Sequence, residues 1–333
     1  MSQTDEMQVT LHIGGSKCGS SVIQAYLKQN EDALRTKRVL IPGRDLDLVS
    51  PVTGEQIWMF ENAAMAGDLK ALGARIKTLV AEAKKKDAKA LIISAENICN
   101  HAHLAPMLAR VLKNCSVRVV LYVRRQDDFL ISSWQQWHLK RFASVEAFLS
   151  DRVGKVACWA SVVGPWAKAF GHEAMVVRPF VRDRLKNRDV VDDFFDQIGV
   201  SQTGLARLNQ AANPSFDEAL ARLAHRVRDV FEDQHDNRFY EVMVRLLGND
   251  ALKKQSASSL LDLETRRRIM KRYEDENEAL KKRYMPELGN EPLFEMPTRG
   301  DVFELSEERK LNDDIAMLTR CIYALAARSE EAA

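Results

Sequence analysis

The stretch of residues 9–34, VTLHIGGSKCGSSVIQAYLKQNEDAL, restricts the fold more than any other part of this 333-residue chain. Residues 9–13 form a short, β-prone apolar run. Residues 14–21 form a loop of small residues with one cation, Lys17. From Val22 onward, Val22/Tyr26 and Ile23/Leu27 stand four apart, as on one face of a helix. Strand, glycine-rich loop and helix in that order make a cradle for an anionic group. Glycine lets the backbone come close, the unpaired N–H groups of the first helical turn point at the ligand, and the helix dipole favours negative charge there. The loop lacks the nucleotide-triphosphate pattern GxxxxGK[ST], in which lysine follows the last glycine. Here Lys17 precedes Gly19, and Ser20 and Ser21 follow it.

Downstream, apolar runs alternate with helical patterns. Residues 39–42 (VLIP), 90–94 (ALIIS), 117–123 (VRVVLYV) and 174–177 read as strands. Residues 69–86, 103–113, 158–170 and 190–198 read as helices, with another starting at Asp127 and a stop at Gly199. The expected fold is α/β: a P-loop-like three-layer arrangement with a central parallel sheet flanked by helices. Ligands of such sheets sit outside the carboxyl ends of the strands. The opening loop, Glu96, Arg124 and Arg178 all fall at those ends.

After residue 200 the strand signals stop. Long charged helices are expected at about 215–247 and 258–284; the second, with its alternating signs, reads as an exposed face. A Pro/Gly-rich loop at 286–300 precedes a last helix from about 307 to 328. The expected partition is an α/β core of 1–200 and a mainly helical extension of 201–333 packed on it. In the last helix Leu311, Ile315, Leu318, Ile322 and Leu325 are spaced 4, 3, 4 and 3, an a/d seam. The simpler reading lays that seam on its own domain. The sharper one pairs it with a second subunit as a homodimer, or has it guide a polymeric acceptor.

Composition narrows the function classes. A hydrophobic fraction of 46% supports a real core, and a net charge of +2 argues against a general nucleic-acid binder. No run has the apolar length of a membrane span and the N-terminus has no signal-like stretch, so a cytoplasmic protein is expected. Five scattered cysteines with no CxxC fit a reducing compartment. His101 and His103 form an HxH pair without an evident third metal ligand. Cys18, beside Lys17 and near a helix N-terminus, is expected to be the most reactive thiol.

The order GxxKxGSS at residues 14–21 resembles the 5′-phosphosulfate loop of sulfotransferases that use 3′-phosphoadenosine-5′-phosphosulfate (PAPS). A second stretch, LYVRRQDDFLISSWQQW at 121–137, resembles the 3′-phosphate site of that family. A third, 176–199, resembles the "RPF" region of bacterial, polysaccharide-modifying members. The resemblance covers about residues 9–200 and thins beyond. It implies PAPS as donor, 3′,5′-ADP as product, no required metal and a hydroxyl-bearing acceptor, with a carbohydrate or glycan favoured. It implies that Gly15, Ser16, Lys17, Cys18, Gly19, Ser20 and Ser21 hold the 5′-phosphosulfate, with Lys17 on the leaving oxygen. Arg124 and Ser132 would hold the 3′-phosphate, with Asp128 orienting. Glu96 would be the general base, with Glu55, Glu61 and His101 in reserve. Arg299, in Thr298-Arg299-Gly300, is a candidate for a closing cofactor loop. Cys18 departs from the family's usual small or hydroxyl residue, and the GxxGxW element of animal members is absent. A P-loop nucleotide kinase or NTPase, or a non-catalytic nucleotide-binding interaction protein, are the alternatives.

Overall fold

The computed structural model describes residues 6–53, 56–208, 216–248 and 258–331. In chain order the elements are β1 (Gln8–His12), α1 (Ser20–Gln29), α2 (Glu31–Thr36), β2 (Val39–Leu40), α3 (Ile57–Ala66), α4 (Leu69–Lys85), β3 (Ala90–Ser94), α5 (Leu104–Val111) and β4 (Ser116–Val123). They continue with α6 (Gln126–Gln136), α7 (Val145–Arg152), α8 (Trp159–Phe170), β5 (Met175–Pro179), α9 (Val190–Ile198), α10 (Glu218–Arg226), α11 (Arg238–Leu247), α12 (Leu263–Arg272), α13 (Glu274–Tyr284) and α14 (Glu307–Glu331). Two compact units form, each from three separate segments. The first comprises 1–125, 157–212 and 274–294; the second comprises 126–156, 213–273 and 295–333. This division differs from a cut at residue 200, because α6 and α7 cluster with helices far along the chain.

The first unit holds one five-stranded sheet in the order β2-β3-β1-β4-β5. Every pairing is parallel. Both faces are covered, which is why the strands read as nearly continuous apolar runs. Ile92, Val120 and Tyr122 face α1 and α9, where Ile23, Tyr26, Leu27, Phe194 and Phe195 close the core. The alternate residues Leu91, Ile93, Val119, Leu121 and Val123 are equally buried. α8 packs on β4, with α5 beside it. Asp189 caps α9 by accepting from the Val191 and Asp192 amides, and Gly199 ends it with φ 70°. A cap of this kind contributes about 1 kcal/mol. β1 lies between β3 and β4, so the loops leaving these three strands open at one sheet edge.

The second unit is helical apart from one bridge, Ser258 to Val302, among the described residues. The chain is thus α/β with a mainly helical C-terminal part. The expected continuous helices are interrupted. Between α10 and α11, Asp233 accepts from the His235 amide, and Asp236 accepts from the Glu232 and Arg238 amides. Side chains that capture nearby amides compete with the helix for them. The charged run at 258–284 is not simply a solvated face: Arg266 is 2% exposed and ion-paired to Asp127 at 2.6 Å and to Asp128. The seam of α14 does not lie on its own unit either. The buried stripe is Asp314, Met317 and Cys321, on another face of the helix.

Candidate functional site

The loop between β1 and α1 keeps its amides available. Gly19 stands at the N-cap of α1 with φ 86° and supplies no capping side chain, and the first turn holds no acid. A Cβ at Gly19 would stand 2.9 Å from the Phe180 ring, and one at Gly14 would stand 2.5 Å from the Ser20 hydroxyl. Both positions therefore need glycine. The helix's own bonding begins with Val22 N and Ile23 N donating to Gly19 O. The Ser20 and Ser21 amides precede that ladder and point out of the helix end. The buried Ser20 hydroxyl donates to Gly15 O at 3.4 Å, and the Ser16 hydroxyl donates to Asn97 Oδ1 at 3.4 Å. Gly15, Ser16 and the half-buried Ser21 complete the loop.

The segment after β3 is fastened along this loop. Ala95 N donates to His12 O, Asn97 N to Gly14 O at 2.6 Å, and Cys99 N to Ile13 O. Glu96 sits in the middle of that ladder. From β4, Arg124 Nη1 donates to Lys17 O at 3.0 Å, and Trp159 Nε1 donates to Arg124 O at 2.8 Å. Three strand ends thus bring Lys17, Glu96 and Arg124 to one place. Their charges act on one another. Burial pushes the Lys17 ammonium down to about 8, with the Glu96 carboxylate opposing and the Arg124 guanidinium adding to the fall. Burial raises the Glu96 carboxyl, and Lys17 opposes that rise. A lysine near neutrality and a basic carboxylate side by side are groups tuned for charge stabilisation and proton transfer.

Other expected residues are placed differently. Cys18 is 0% exposed, its thiol donates to Ser16 O at 3.4 Å, and burial pushes its pKa up. It is therefore not a reactive thiol, and only its backbone can serve a ligand. Glu61 on α3 meets His101 Nε2 at 3.6 Å, and His101 stands 5.9 Å from His103, ring to ring. No group of three or more metal-ligating side chains occurs among the described residues. Glu55 lies outside the described residues. Arg178 is committed to structure: it pairs with Asp193 at 2.7 Å, and Asp193 also accepts from the Tyr122 hydroxyl at 2.8 Å.

Ser132 and Arg299 belong to the second unit. Ser132 is half-buried on α6, and Arg299 is exposed in the turn Arg299–Asp301, which Thr298 caps. Arg266 was not anticipated. It binds Asp127 and Asp128 at the start of α6 and the Asp301 carbonyl of the turn. It therefore ties the turn carrying Arg299 to the helix carrying Ser132. Nothing in the run ETRRRIMKR marks this arginine out from its neighbours.

His12 was also missed, though a histidine ending an apolar strand just before the loop was a visible signal. It is 0% exposed. Its Nδ1 lies 2.8 Å from the Ser94 hydroxyl, while Nε2 has no hydrogen-bond partner among the described residues. A Cβ at Gly14 would stand 3.3 Å from that Nε2, so the ring lies directly against the loop. Burial pushes the imidazole down to about 4, leaving it neutral at pH 7.

No family model matches the chain. An uncharacterised protein of Archaeoglobus fulgidus is 25% identical over 196 residues, which are 58% of this chain and 53% of that protein. The chain thus spans about half the length of that relative. A sulfotransferase crystal structure from Alicyclobacillus acidocaldarius is similar over 72% of this chain and 96% of its own, with a TM-score of 0.39 and 16% identity. Neither likeness is high enough to transfer a fold or an activity.

Proposed function

We propose that the chain is a sulfotransferase that moves a sulfuryl group from PAPS to a hydroxyl of an acceptor, of carbohydrate or glycan class, and releases 3′,5′-ADP. The observation that supports this reading best is the meeting of Lys17, Glu96 and Arg124 around an uncapped glycine loop. The loop suits a 5′-phosphate: Gly14 and Gly19 let its backbone pack tightly against Ser20 and Phe180, and no side chain caps the α1 N-terminus where the Ser20 and Ser21 amides lie. PAPS would supply the sulfuryl group and a phosphate leaving group. Lys17 stabilises the negative charge that grows on the bridging oxygen as the S–O bond breaks. Glu96 takes the acceptor's proton as the new O–S bond forms. Arg124 grips the 3′-phosphate that separates PAPS from ATP, a role the sequence resemblance also gives to Ser132. Positioning and electrostatics carry such a transfer, as in phosphoryl transfer.

A thermal-shift panel tests the reading. The expected result is stabilisation by 3′,5′-ADP and PAPS well beyond that by AMP or ATP–Mg²⁺. Arg124→Ala should erase the preference for a 3′-phosphate. Equal shifts with AMP and 3′,5′-ADP, or a larger shift with ATP–Mg²⁺, would overturn it. Sulfate transfer from PAPS across a set of glycan acceptors then checks the acceptor class.

A further inference from the structure

α14 has two apolar faces, and the second unit covers one of them. On the inner stripe, Asp314 accepts from Arg222 Nε at 2.9 Å and pairs with Arg226 at 3.4 Å, flanked by buried Met317 and Cys321. On the outer side Leu311, Ile315, Leu318, Ile322 and Leu325 are 54%, 51%, 47%, 67% and 60% exposed. Tyr323, beside them, is also exposed. A helix that only roofs its own unit needs the inner stripe alone. An outer stripe spaced 4, 3, 4 and 3 is the pattern of a helix with a second helix against it.

We propose that this face pairs with the same face of a second copy of the chain, the two helices running antiparallel about a two-fold axis. Area and charge both favour that occupant. The five seam side chains at these exposures offer on the order of 500 Å² per copy, so a pair would bury on the order of 1,000 Å², about what a specific interface has to clear. A two-fold pair is self-complementary by construction, so one seam suffices for both partners. With the leucines at d and the isoleucines at a, Glu307 and Arg328 fall at g. In antiparallel order g faces g, so Glu307 of one copy meets Arg328 of the other, twice by symmetry. In parallel order g faces e, and Glu307 would meet Asn312, with no charge to answer it. Both charged residues are exposed at the rim, Glu307 beside Lys310 and Arg328 on the Arg245 carbonyl.

Light scattering and sedimentation of the full chain at about 50 μM decide the matter. The expected mass is that of a dimer. Ile315→Glu and, separately, Leu318→Lys should each weaken the dimer at least about 100-fold, because a charge would enter a desolvated seam. Far-UV circular dichroism should not change, since both positions face water in one copy. Glu307→Arg should weaken the dimer about tenfold, and adding Arg328→Glu should restore it. A monomeric wild type, or a dimer indifferent to both seam variants, would overturn the proposal. A double charge swap that fails to restore the dimer would overturn the antiparallel order.

Discussion

Lys17 offers the sharpest test of the site, because its protonation should control anion binding within an accessible pH range. Burial holds its pKa near 8 instead of the usual 10.5. A phosphate bound against the ammonium would raise that value again, so the protonated enzyme is the form that binds. The dissociation constant for 3′,5′-ADP should then grow as 1 + 10^(pH − 8). From pH 7 to pH 9 that is a loss of about tenfold, or about 1.4 kcal/mol. The ligand does not confuse the measurement, since the second phosphate ionisation lies near pH ~6 and is nearly complete at pH ~7. Cys18 and Cys99, the thiols by the loop, are both pushed up out of the window. Unfolding does not mimic the loss either. For a lysine with a depressed pKa the unfolded chain binds more protons between 8 and 10.5, so its effect on stability rises with pH there. Isothermal titration calorimetry at pH 7, 8 and 9 gives the curve. Lys17→Arg keeps its charge throughout and should flatten it. A flat wild-type curve would refute the contact between Lys17 and the bound anion.

Two further outcomes follow from the same geometry. Glu96→Gln should slow sulfate transfer by about 100-fold or more, the usual worth of a general base, with little change in 3′,5′-ADP binding at pH 7. It should also move the pH midpoint of binding below about 8, because Glu96 raises the Lys17 pKa; a normal rate would pass the base role to Glu55, Glu61 or His101. His12 is depressed from 6.5 to about 4, so stability is full above pH 6.5 and is lost as pH falls toward 4. The loss is about 1.4 kcal/mol by pH 5.5 and about 2.5 kcal/mol by pH 4.5. His12→Asn, which can keep the bond to the Ser94 hydroxyl, should remove that slope in urea unfolding; an unchanged slope would show that another group titrates.

The sheet was legible because of how parallel strands are buried. ALIIS coincides with β3 (Ala90–Ser94), and the run at 117–123 differs from β4 by one residue. Strands covered on both faces are apolar throughout and stand out from the amphipathic helices around them. The loop was legible for a related reason, since the small residues of GGSKCGSS mark a tight strand-to-helix turn. The second unit was not legible in this way. Its segments come from three parts of the chain, and a helix's apolar stripe reveals a face without naming what covers it. α14 shows the limit well. The a/d seam is plain in sequence, yet the buried stripe is Asp314, Met317 and Cys321, which includes a carboxylate held by two arginines.

Cys18 shows how a loop can turn a side chain away from where its sequence neighbours suggest it goes. A thiol next to a lysine, at a helix N-terminus, should have a low pKa by both features. In the folded loop Lys17 and Gly19 are both left-handed, at φ 65° and 86°, so the chain turns sharply on either side of residue 18. The side chain between them ends in the core with Ile23, Tyr122 and Val190. Desolvation then dominates: it raises the thiol more than the Lys17 and Arg124 charges lower it. The direction of a side chain in such a turn depends on φ, and φ at Lys17 is not written in its neighbours. The same turn explains what the loop can do. With Cys18 anchored inward and Arg124 holding the Lys17 carbonyl, the backbone around residue 18 is fixed by the protein itself. Donors that need no rearrangement on binding are those worth most to a developing charge. On the proposed reading, the inert thiol serves as an anchor beneath the amides and not as a nucleophile beside them.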